Sequence, residues 1–343
     1  MTLVEKLVRC YSPSGHEEEA VELFLDELAQ RNYRVHRDEA GNAIGSIGKG
    51  PVNVYLVGHI DTVPGEIPVR LEDGILYGRG SVDAKGALAV FAEAADIFAE
   101  SDTIRVTVVG CTQEETDSLG ANHILKTHKA PDYVVIGEPG GWEAITLGYR
   151  GCFGLDYETR KPRVHRGMPV STPAEDAVAF YQSLCDVFPD RGDRFGDVSL
   201  KLTHLNTLSS GNHEAVKMHL DVRIPISFDL EDFNTRVMEL KRDATVTIRG
   251  FVPAVVAEKR NALVRAFLGG IRVHGGKPQF KYKTGTSDMN LLNRWGCPIV
   301  TYGPGDSSLD HTPDEHLKLE EYQRSIRVLR EALTKLKRNA HES

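Results

Sequence analysis

The sequence predicts an α/β protein with an open, mostly parallel sheet and a smaller α+β domain inserted into the chain. Two observations predict this arrangement. Apolar, β-branched runs of strand length alternate with amphipathic helical segments in the first part of the chain. The pattern becomes strand-rich after about residue 149, and long helical segments return after about residue 254. We therefore assign residues 1–149 and 254–343 to one domain and residues 150–253 to the inserted domain.

The elements of the larger domain follow from the spacing of apolar residues. Helical spacing predicts helices over residues 17–31, 85–99, 257–274 and 319–337. Short apolar runs at residues 52–58, 103–110, 133–136 and 299–302 are typical of strands that are buried on both faces of a parallel sheet. The pair Asp73-Gly74 indicates a hairpin turn.

The inserted domain is expected to contain its strands and helices in a different order from that of the larger domain. After a strand that starts near residue 151, we predict a helix over 173–188 and strands over 198–204 and 216–224. A helix over 229–240 and a strand over 244–248 follow. About 100 residues is an ordinary size for one domain.

Composition excludes several classes of function. The chain has 343 residues and a formal net charge of -8, whereas general nucleic-acid binding requires a basic excess. No apolar run approaches the ~20 residues that span a membrane, and residues 1–15 lack the apolar core of a secretory signal. Five scattered cysteines, an odd number without a close pair, favour a reducing, cytoplasmic location.

Acidic and imidazole side chains occur in five separate segments, each at the end of a predicted strand or the start of a predicted helix. Ligands of open α/β sheets bind at that edge. Each residue alone also has an ordinary explanation, such as a helix cap, a solvated pair, a turn or a surface loop; together they indicate one site. The residues are His59 and Asp61, Asp83, Glu114 and Glu115, Glu138, and His311.

Imidazole nitrogens and carboxylate oxygens together suit zinc, and also cobalt or manganese. The set holds more acids than a single zinc ion needs, so two metal ions that share a carboxylate fit better. Asp83 can bridge two cations through its two oxygens. Asp61 shares a strand face with His59 and can accept its second N–H. Of Glu114 and Glu115, one can bind metal while the other acts as a base.

These motifs resemble those of the zinc aminoacylase and deacylase family, which includes acetylornithine deacetylase and succinyl-diaminopimelate desuccinylase. The resemblance implies a zinc-exopeptidase-like catalytic domain in which His59 and Glu138 bind one metal, and Glu115 and His311 bind the other. Asp83 would bridge them and precede a cis peptide, Asp61 would orient His59, and Glu114 would be the general base. The matching segments are 58–64, 78–86, 114–115, 137–139, 303–305 and 311–315.

The resemblance also implies that the insert is a lid and often a dimerisation surface, so a homodimer is expected. His165 would stabilise the oxyanion and Arg223 would bind a substrate carboxylate, while Gly285 and Ser287 would lie on the substrate side. His165 as a surface residue and Arg223 as a strand ion pair remain alternatives. The family usually has an asparagine closely followed by a proline before the Arg223 strand; this chain lacks the pair, and Asn212 is the nearest substitute.

Within the family the chain is most similar to the LysK branch, whose members release lysine or ornithine from the terminal glutamate of the acidic amino-group carrier protein LysW, in the last step of lysine biosynthesis through aminoadipate. Basic residues near His165 would offer the carrier a docking surface: Arg160, Lys161, Arg163 and Arg166. The alternatives are a small-molecule deacylase for acetylornithine or succinyl-diaminopimelate, a carboxypeptidase or dipeptidase, and a non-catalytic binding relative.

Overall fold

The computed structural model describes residues 1–339 and divides the chain into two compact units. The core unit comprises Met1–Gly148, Ala257–Tyr282 and Ser287–Ser343, and the insert unit comprises Tyr149–Val256 and Lys283–Thr286. The short segment belongs with the insert because the N–H of Arg150 donates to the carbonyl of Lys283 at 3.1 Å. The insert is therefore discontinuous, which the periodicity of the sequence does not reveal.

The strands and helices have the following bounds. The strands are β1 (Arg34–Arg37), β2 (Ala43–Gly48), β3 (Val52–His59), β4 (Arg70–Glu72), β5 (Ile75–Tyr77), β6 (Ile104–Cys111), β7 (Tyr133–Gly137), β8 (Ala144–Tyr149), β9 (Gly151–Pro162), β10 (Ser199–Ser210), β11 (His213–Ile224), β12 (Thr245–Val252), β13 (Val255–Val256), β14 (Gln279–Lys283), β15 (Ile299–Thr301) and β16 (His316–Lys318). The helices are α1 (Leu3–Arg9), α2 (Glu18–Gln30), α3 (Lys85–Ala95), α4 (Leu119–Thr127), α5 (Pro173–Val187), α6 (Leu230–Leu240), α7 (Ala262–Val273), α8 (Asp288–Leu292) and α9 (Leu319–Asn339).

The main sheet of the core unit is parallel at its centre. Its strands follow the order β1-β2-β6-β3-β7-β15-β8, with β14 also paired to β8. Strands β6, β3 and β7 run parallel, and His59 at the end of β3 is opposite Cys111 at the end of β6. Gly58 is opposite Gly137 in the same way. The carboxyl ends of these three strands therefore meet at one edge, as the apolar runs predict.

Helices cover this sheet and bury its side chains. All but one residue of α3 is buried, which explains its nearly continuous apolar sequence. Helix α9 packs against α3 and α7, with Tyr322 and Leu329 fully buried. Within residues 1–339, no helix combines the length and the apolar character required to cross a membrane.

The insert unit is an antiparallel sheet with two helices. Its strands follow the order β10-β11-β9-β12. Alternate residues of β9, including Phe153, Leu155 and Tyr157, are buried with Phe180 of α5 and Phe233 of α6. This is the period-two pattern of a sheet that buries one face.

Several predicted elements have different bounds in the structure. Helix α7 begins at Ala262 rather than 257, because Asn261 caps it by accepting the N–H of Val264. Strand β10 continues to Ser210, where Gly211 takes a left-handed φ of 56° and turns the chain into β11. The short helix α1 and the strands β1 and β2 were not predicted. Helix α1 has only seven residues, although its buried residues Leu3, Val4, Leu7 and Val8 follow helical spacing.

Candidate metal centre

The predicted site residues of the core unit converge at the carboxyl edge of β6, β3 and β7. His59 ends β3, Glu138 directly follows β7, and Glu114 and Glu115 follow β6. A side chain at Gly137 would lie 2.8 Å from the ring of Phe91 and 3.2 Å from the Cα of Gly58. Glycine therefore allows α3 to approach the sheet directly beneath this edge.

Asp83 lies between the two histidines. Its Oδ1 is 3.2 Å from Nε2 of His59, and its Oδ2 is 3.1 Å from Nε2 of His311. The expected cis peptide follows it, between Asp83 and Ala84. Ala84 is the N-cap of α3 and no side chain caps that helix, so the alternative role of Asp83 as a helix cap is excluded. The two carboxylate oxygens thus face two different imidazoles.

The acids and the two histidines form three groups of candidate ligand atoms, two of which include Asp83. Nε2 of His311 is 3.1 Å from a carboxylate oxygen of Glu115, and Nε2 of His59 is 3.8 Å from Glu138. In each group the candidate ligand atoms lie within 4.8 Å of one another. The groups are His59 with Asp83 and Glu138, Asp83 with Glu115 and His311, and His59 with Glu114 and Glu115.

Asp61 connects the β3 end to the turn that carries the two glutamates. Its carboxylate oxygens accept the N–H groups of Glu114 and Glu115 at 3.1 Å each, and the hydroxyl of Ser14 at 2.7 Å. His59 Nδ1 donates to the backbone carbonyl of Asp61 at 2.9 Å, while the carboxylate is 3.5 Å away. Asp61 thus contacts the Nδ1 side of His59 through both its carbonyl and its carboxylate, and its expected role in orienting the imidazole stays a prediction.

The carboxylates favour positive charge at this edge. Burial lowers the pKa of His59, but hydrogen bonds to Asp61 and Asp83 outweigh this effect and raise that pKa well above its usual range. Hydrogen bonds to Asp83 and Glu115 raise the pKa of His311 to about 10. The surrounding field therefore attracts cations.

Glu114 differs from its neighbours. Burial raises the pKa of Glu114 well above its usual range, and the charges of Glu138, Asp288 and Glu115 add to this effect, against the opposing charge of His59. A carboxyl whose protonated form is favoured in this way is suited to accept and return a proton.

Two divalent cations fit this donor set. Asp83, Glu114, Glu115 and Glu138 carry up to four negative charges, which two such ions balance. Imidazole nitrogens and carboxylate oxygens are the donors that zinc accepts. Asp83, with one oxygen facing each histidine, has the orientation that a shared ligand requires. His59 and Glu138 would hold one ion, and His311 and Glu115 the other.

Glu315 holds the Asp83 loop in place, a role that the sequence did not reveal. Its fully buried carboxylate accepts the N–H groups of Gly80, Val82 and Asp83 at 2.9–3.1 Å. It also accepts Nη1 of Arg79 at 2.9 Å. Glu315 is the last residue of the 311–315 motif, but its position in the motif alone does not indicate a structural anchor.

The structure places the predicted substrate residues as follows. Ser287 is buried and caps α8 by accepting the N–H of Met289 at 3.2 Å, so its hydroxyl has a structural partner. Gly285 is exposed, and no atom lies within 4 Å of the position of a Cβ. Arg223 pairs with Asp221 at 3.4 Å, as in the alternative interpretation. His165 is exposed and accepts the N–H of Gly167 at 3.2 Å.

Three basic residues of the loop around His165 form ion pairs within the insert unit. Lys161 forms an ion pair with Asp176. Arg163 and Arg166 both pair with Glu214, at 3.7 and 2.8 Å. Two carboxylates therefore offset only part of the charge of the four basic residues, Arg160 included, and the loop keeps a positive balance.

Comparisons with known proteins agree with this site. Residues 55–335 match the model of peptidase family M20/M25/M40. The chain is 39% identical to the "[LysW]-lysine hydrolase" of Deinococcus radiodurans, over 97% of this chain and 96% of that protein. It is 39% identical to a "putative [LysW]-lysine/[LysW]-ornithine hydrolase" of Thermococcus kodakarensis, over 97% and 91%. The fold is similar to that of the aminopeptidase PepT of Bacillus cereus, with a TM-score of 0.80, 18% identity and coverage of 97% and 96%.

Proposed function

Because the chain belongs to peptidase family M20/M25/M40, whose members are dinuclear metal-dependent hydrolases, we propose that it releases lysine or ornithine from the carrier protein LysW. The bond cleaved is the amide between the amino acid and the terminal glutamate of the carrier. The observation that supports this choice of substrate is the 39% identity, over nearly the whole chain, to relatives that are named for this reaction. The release would complete lysine biosynthesis through aminoadipate.

The geometry supports a proposed role for each residue around the scissile amide. When bound, two metal ions would polarise the amide carbonyl and lower the pKa of the attacking water. Asp83 lies between the two histidines and keeps their Nε2 atoms turned toward the same point. Asp61 holds the Glu114–Glu115 turn beside His59 through two backbone hydrogen bonds.

Glu114 moves the proton. It takes a proton from the attacking water as the new C–O bond forms at the amide carbon. It then delivers that proton to the nitrogen as the C–N bond breaks, so that the products are the carrier's carboxylate and a free amine. The elevated pKa of Glu114 matches this exchange, since both of its protonation states are needed.

Zinc is our first choice for both ions, with cobalt and manganese as alternatives, because all three accept nitrogen and oxygen donors. His165 as the oxyanion donor, Arg223 as the carboxylate ligand, and Gly285 and Ser287 as substrate contacts remain predictions. A cytoplasmic location also remains a prediction. It is supported by the five cysteines, all of which are free thiols.

A homodimer through the insert unit is proposed from the edge strand β10. This strand has twelve residues and pairs only with β11 among the described strands. Leu202, Leu205 and Leu208 on it are exposed. Long exposed edge strands readily pair with another chain. Light scattering of the wild type and of Leu205→Lys tests this, and a monomeric wild type would refute it.

The decisive experiment offers the purified enzyme two substrates side by side. One is LysW carrying lysine on its terminal glutamate, and the other is acetylornithine. We expect mass spectrometry to show free lysine from the first, with much slower release of ornithine from the second. Preference for acetylornithine, for succinyl-diaminopimelate or for simple dipeptides would instead assign the chain to the small-molecule branch of the family.

A further inference from the structure

We propose that a surface along β14 is the docking surface for an acidic, extended segment of the protein substrate; this inference rests on the function proposed above. The surface, called here the β14 surface, lies in the core unit. It has two faces: Phe280 and Tyr282, with Lys259 beside them, lie on one face of the strand, and Lys281 lies on the opposite face. Lys277 lies just before the strand. Three features of it support the proposal.

The first feature is positive charge without a carboxylate partner. Among the described residues, no carboxylate lies within ion-pair distance of Lys259, Lys277 or Lys281, in contrast to the paired cations of the loop around His165. Two acids border the surface, and their carboxylates accept hydrogen bonds from backbone amides instead of pairing with these lysines. Glu143 accepts the N–H of Lys277 at 2.9 Å, and Glu321 accepts those of Trp142 and Gly305 at 3.1 Å. In a chain of net charge -8, this lysine cluster is free to attract an acidic partner.

The second feature is exposed aromatic area beside these charges. Phe280 and Tyr282 are 40% and 39% exposed and alternate along β14, so both side chains lie on one face of the strand. Nζ of Lys259 is 5.4 Å from the centroid of the first ring and 5.5 Å from that of the second. Aromatic residues with nearby cations are typical of interfaces that bind a partner through a few anchor residues.

The third feature is continuity with the metal centre. Lys281 Nζ donates to the carbonyl of Gly140 at 2.7 Å, and Gly140 follows Glu138 by two positions. A cavity of about 230 Å³ beside this contact is lined by Gly140, Gly141, Trp142, Gln279 and Lys281, and by the acids Glu143 and Glu321. Strand β14 pairs with β8 and with no other described strand. An extended segment bound along β14 would therefore lie next to the loop that carries a metal-ligand candidate.

The occupant that fits is an acidic polypeptide whose terminal glutamate bears the scissile amide. Added as a strand along β14, it would present side chains to both faces. Acidic side chains would meet Lys281 on one face and Lys259 on the other, where apolar atoms would cover the two rings. A nucleic acid would also bring negative charge, but the net charge of -8 of this chain disfavours general nucleic-acid binding. The test below therefore uses the carrier protein as the probe.

The test compares a double charge reversal, Lys259→Glu with Lys277→Glu, against the wild type. Both lysines are exposed and neither belongs to the metal centre. Initial rates are measured on LysW-bound lysine and on a surrogate in which one glutamate is joined to lysine by the same amide. We expect the KM for the carrier to rise at least about tenfold, with kcat unchanged, because steering by charge acts on association. Rates on the surrogate should stay within about twofold.

Two control variants show where the effect originates. Lys129→Glu reverses an exposed lysine of the core unit that has no ion-pair partner within residues 1–339, and it should leave the rates on both substrates unaffected. Arg163→Glu with Arg166→Glu reverses the loop around His165, and it should change the carrier's KM less than the β14 variant does. Phe280→Ser removes a ring without altering charge and should raise the carrier's KM as well, which guards against a folding defect in the double variant.

The outcomes separate the two proposals. If the wild type releases lysine from the carrier and the β14 variants match it, the docking surface is wrong while the function stands. Equal losses on carrier and surrogate, or a larger loss from the His165 loop variant, would also overturn the docking surface. If the wild type releases no amine from the carrier, the proposed function fails and the docking surface falls with it.

Discussion

Replacing Glu315 tests whether one buried carboxylate holds the metal centre together. The substitution Glu315→Ala removes the acceptor of three backbone N–H groups and of Arg79 Nη1, all at 2.9–3.1 Å. Glu315 is fully buried and Arg79 is nearly so, so water does not readily replace these bonds. The variant leaves a guanidinium without its carboxylate beside a loop with unpaired amides.

The expected cost follows from these contacts. Removing one partner of a buried ion pair costs roughly 3–5 kcal/mol. At about 2.1 cal/mol/K per residue, unfolding 343 residues together has an entropy near 0.7 kcal/mol/K. The melting temperature should therefore fall by about 4–7 °C. Because the amide of Asp83 loses its anchor, zinc affinity should also fall about 10–100-fold, as it does when residues that support metal ligands are changed.

Calorimetry measures both effects on one set of proteins. Differential scanning gives the melting temperature, and titration of the metal-free protein with zinc gives the dissociation constant. Glu315→Gln keeps the volume and should recover part of each loss. Asp314→Ala is the matched control, because the neighbouring carboxylate is exposed, and it should stay within about 0.5 kcal/mol of the wild type. If Glu315→Ala behaved like Asp314→Ala, the anchoring role would be refuted.

Three further predictions concern the proton carrier, the metals and acid stability. Glu114→Gln should lower kcat by about 10²–10⁴-fold while elemental analysis finds the metal content unchanged, and near-normal turnover would contradict its role. A chelator should abolish turnover, and about two equivalents of zinc, cobalt or manganese per chain should restore it; activity in metal-free enzyme would rule out the paired centre. Burial raises the pKa of Glu27, but hydrogen bonds from Lys6 and Arg31 outweigh it and hold that pKa below its usual range. Ionised Glu27 therefore stabilises the fold at pH values above the ordinary pKa of glutamate. This stabilisation is lost as the pH falls through the lower pKa that Glu27 has in the folded protein. Urea unfolding should show a gap between wild type and Glu27→Gln near pH 7 that closes near about pH 3, and an unchanged gap would contradict the assignment.

Much of the fold and the identity of the candidate ligands could be predicted from the sequence. Buried parallel strands need apolar residues on both faces, so β3, β6 and β7 stand out as short apolar runs. Polar residues that follow such runs must lie at the carboxyl edge of the sheet. This is why His59, Glu115 and Glu138 could be grouped before any coordinates, although β1 and β2 beside them could not be predicted.

The local sequence was less informative about hydrogen-bond and ion-pair partners in turns and loops, where those partners come from distant segments. The carboxylate of Asp61 binds two amides of a distant turn, whereas its backbone carbonyl takes the imidazole of His59. The basic residues near His165 form a cluster in sequence, but Glu214 on another strand forms ion pairs with two of them. A charge pattern along one segment carries no information about partners that arrive from elsewhere in the chain.

Sequence alone thus determined which residue types meet at the edge and in what order, because strand burial and strand direction are written in local apolar patterns. Only the tertiary structure decided how those residues are oriented and supported. It set one oxygen of Asp83 toward each histidine and placed Glu315 under the Asp83 loop. It also left Lys259, Lys277 and Lys281 without carboxylate partners among the described residues. These features depend on contacts between segments that lie far apart in the chain, and such contacts have no period or spacing that a single sequence displays.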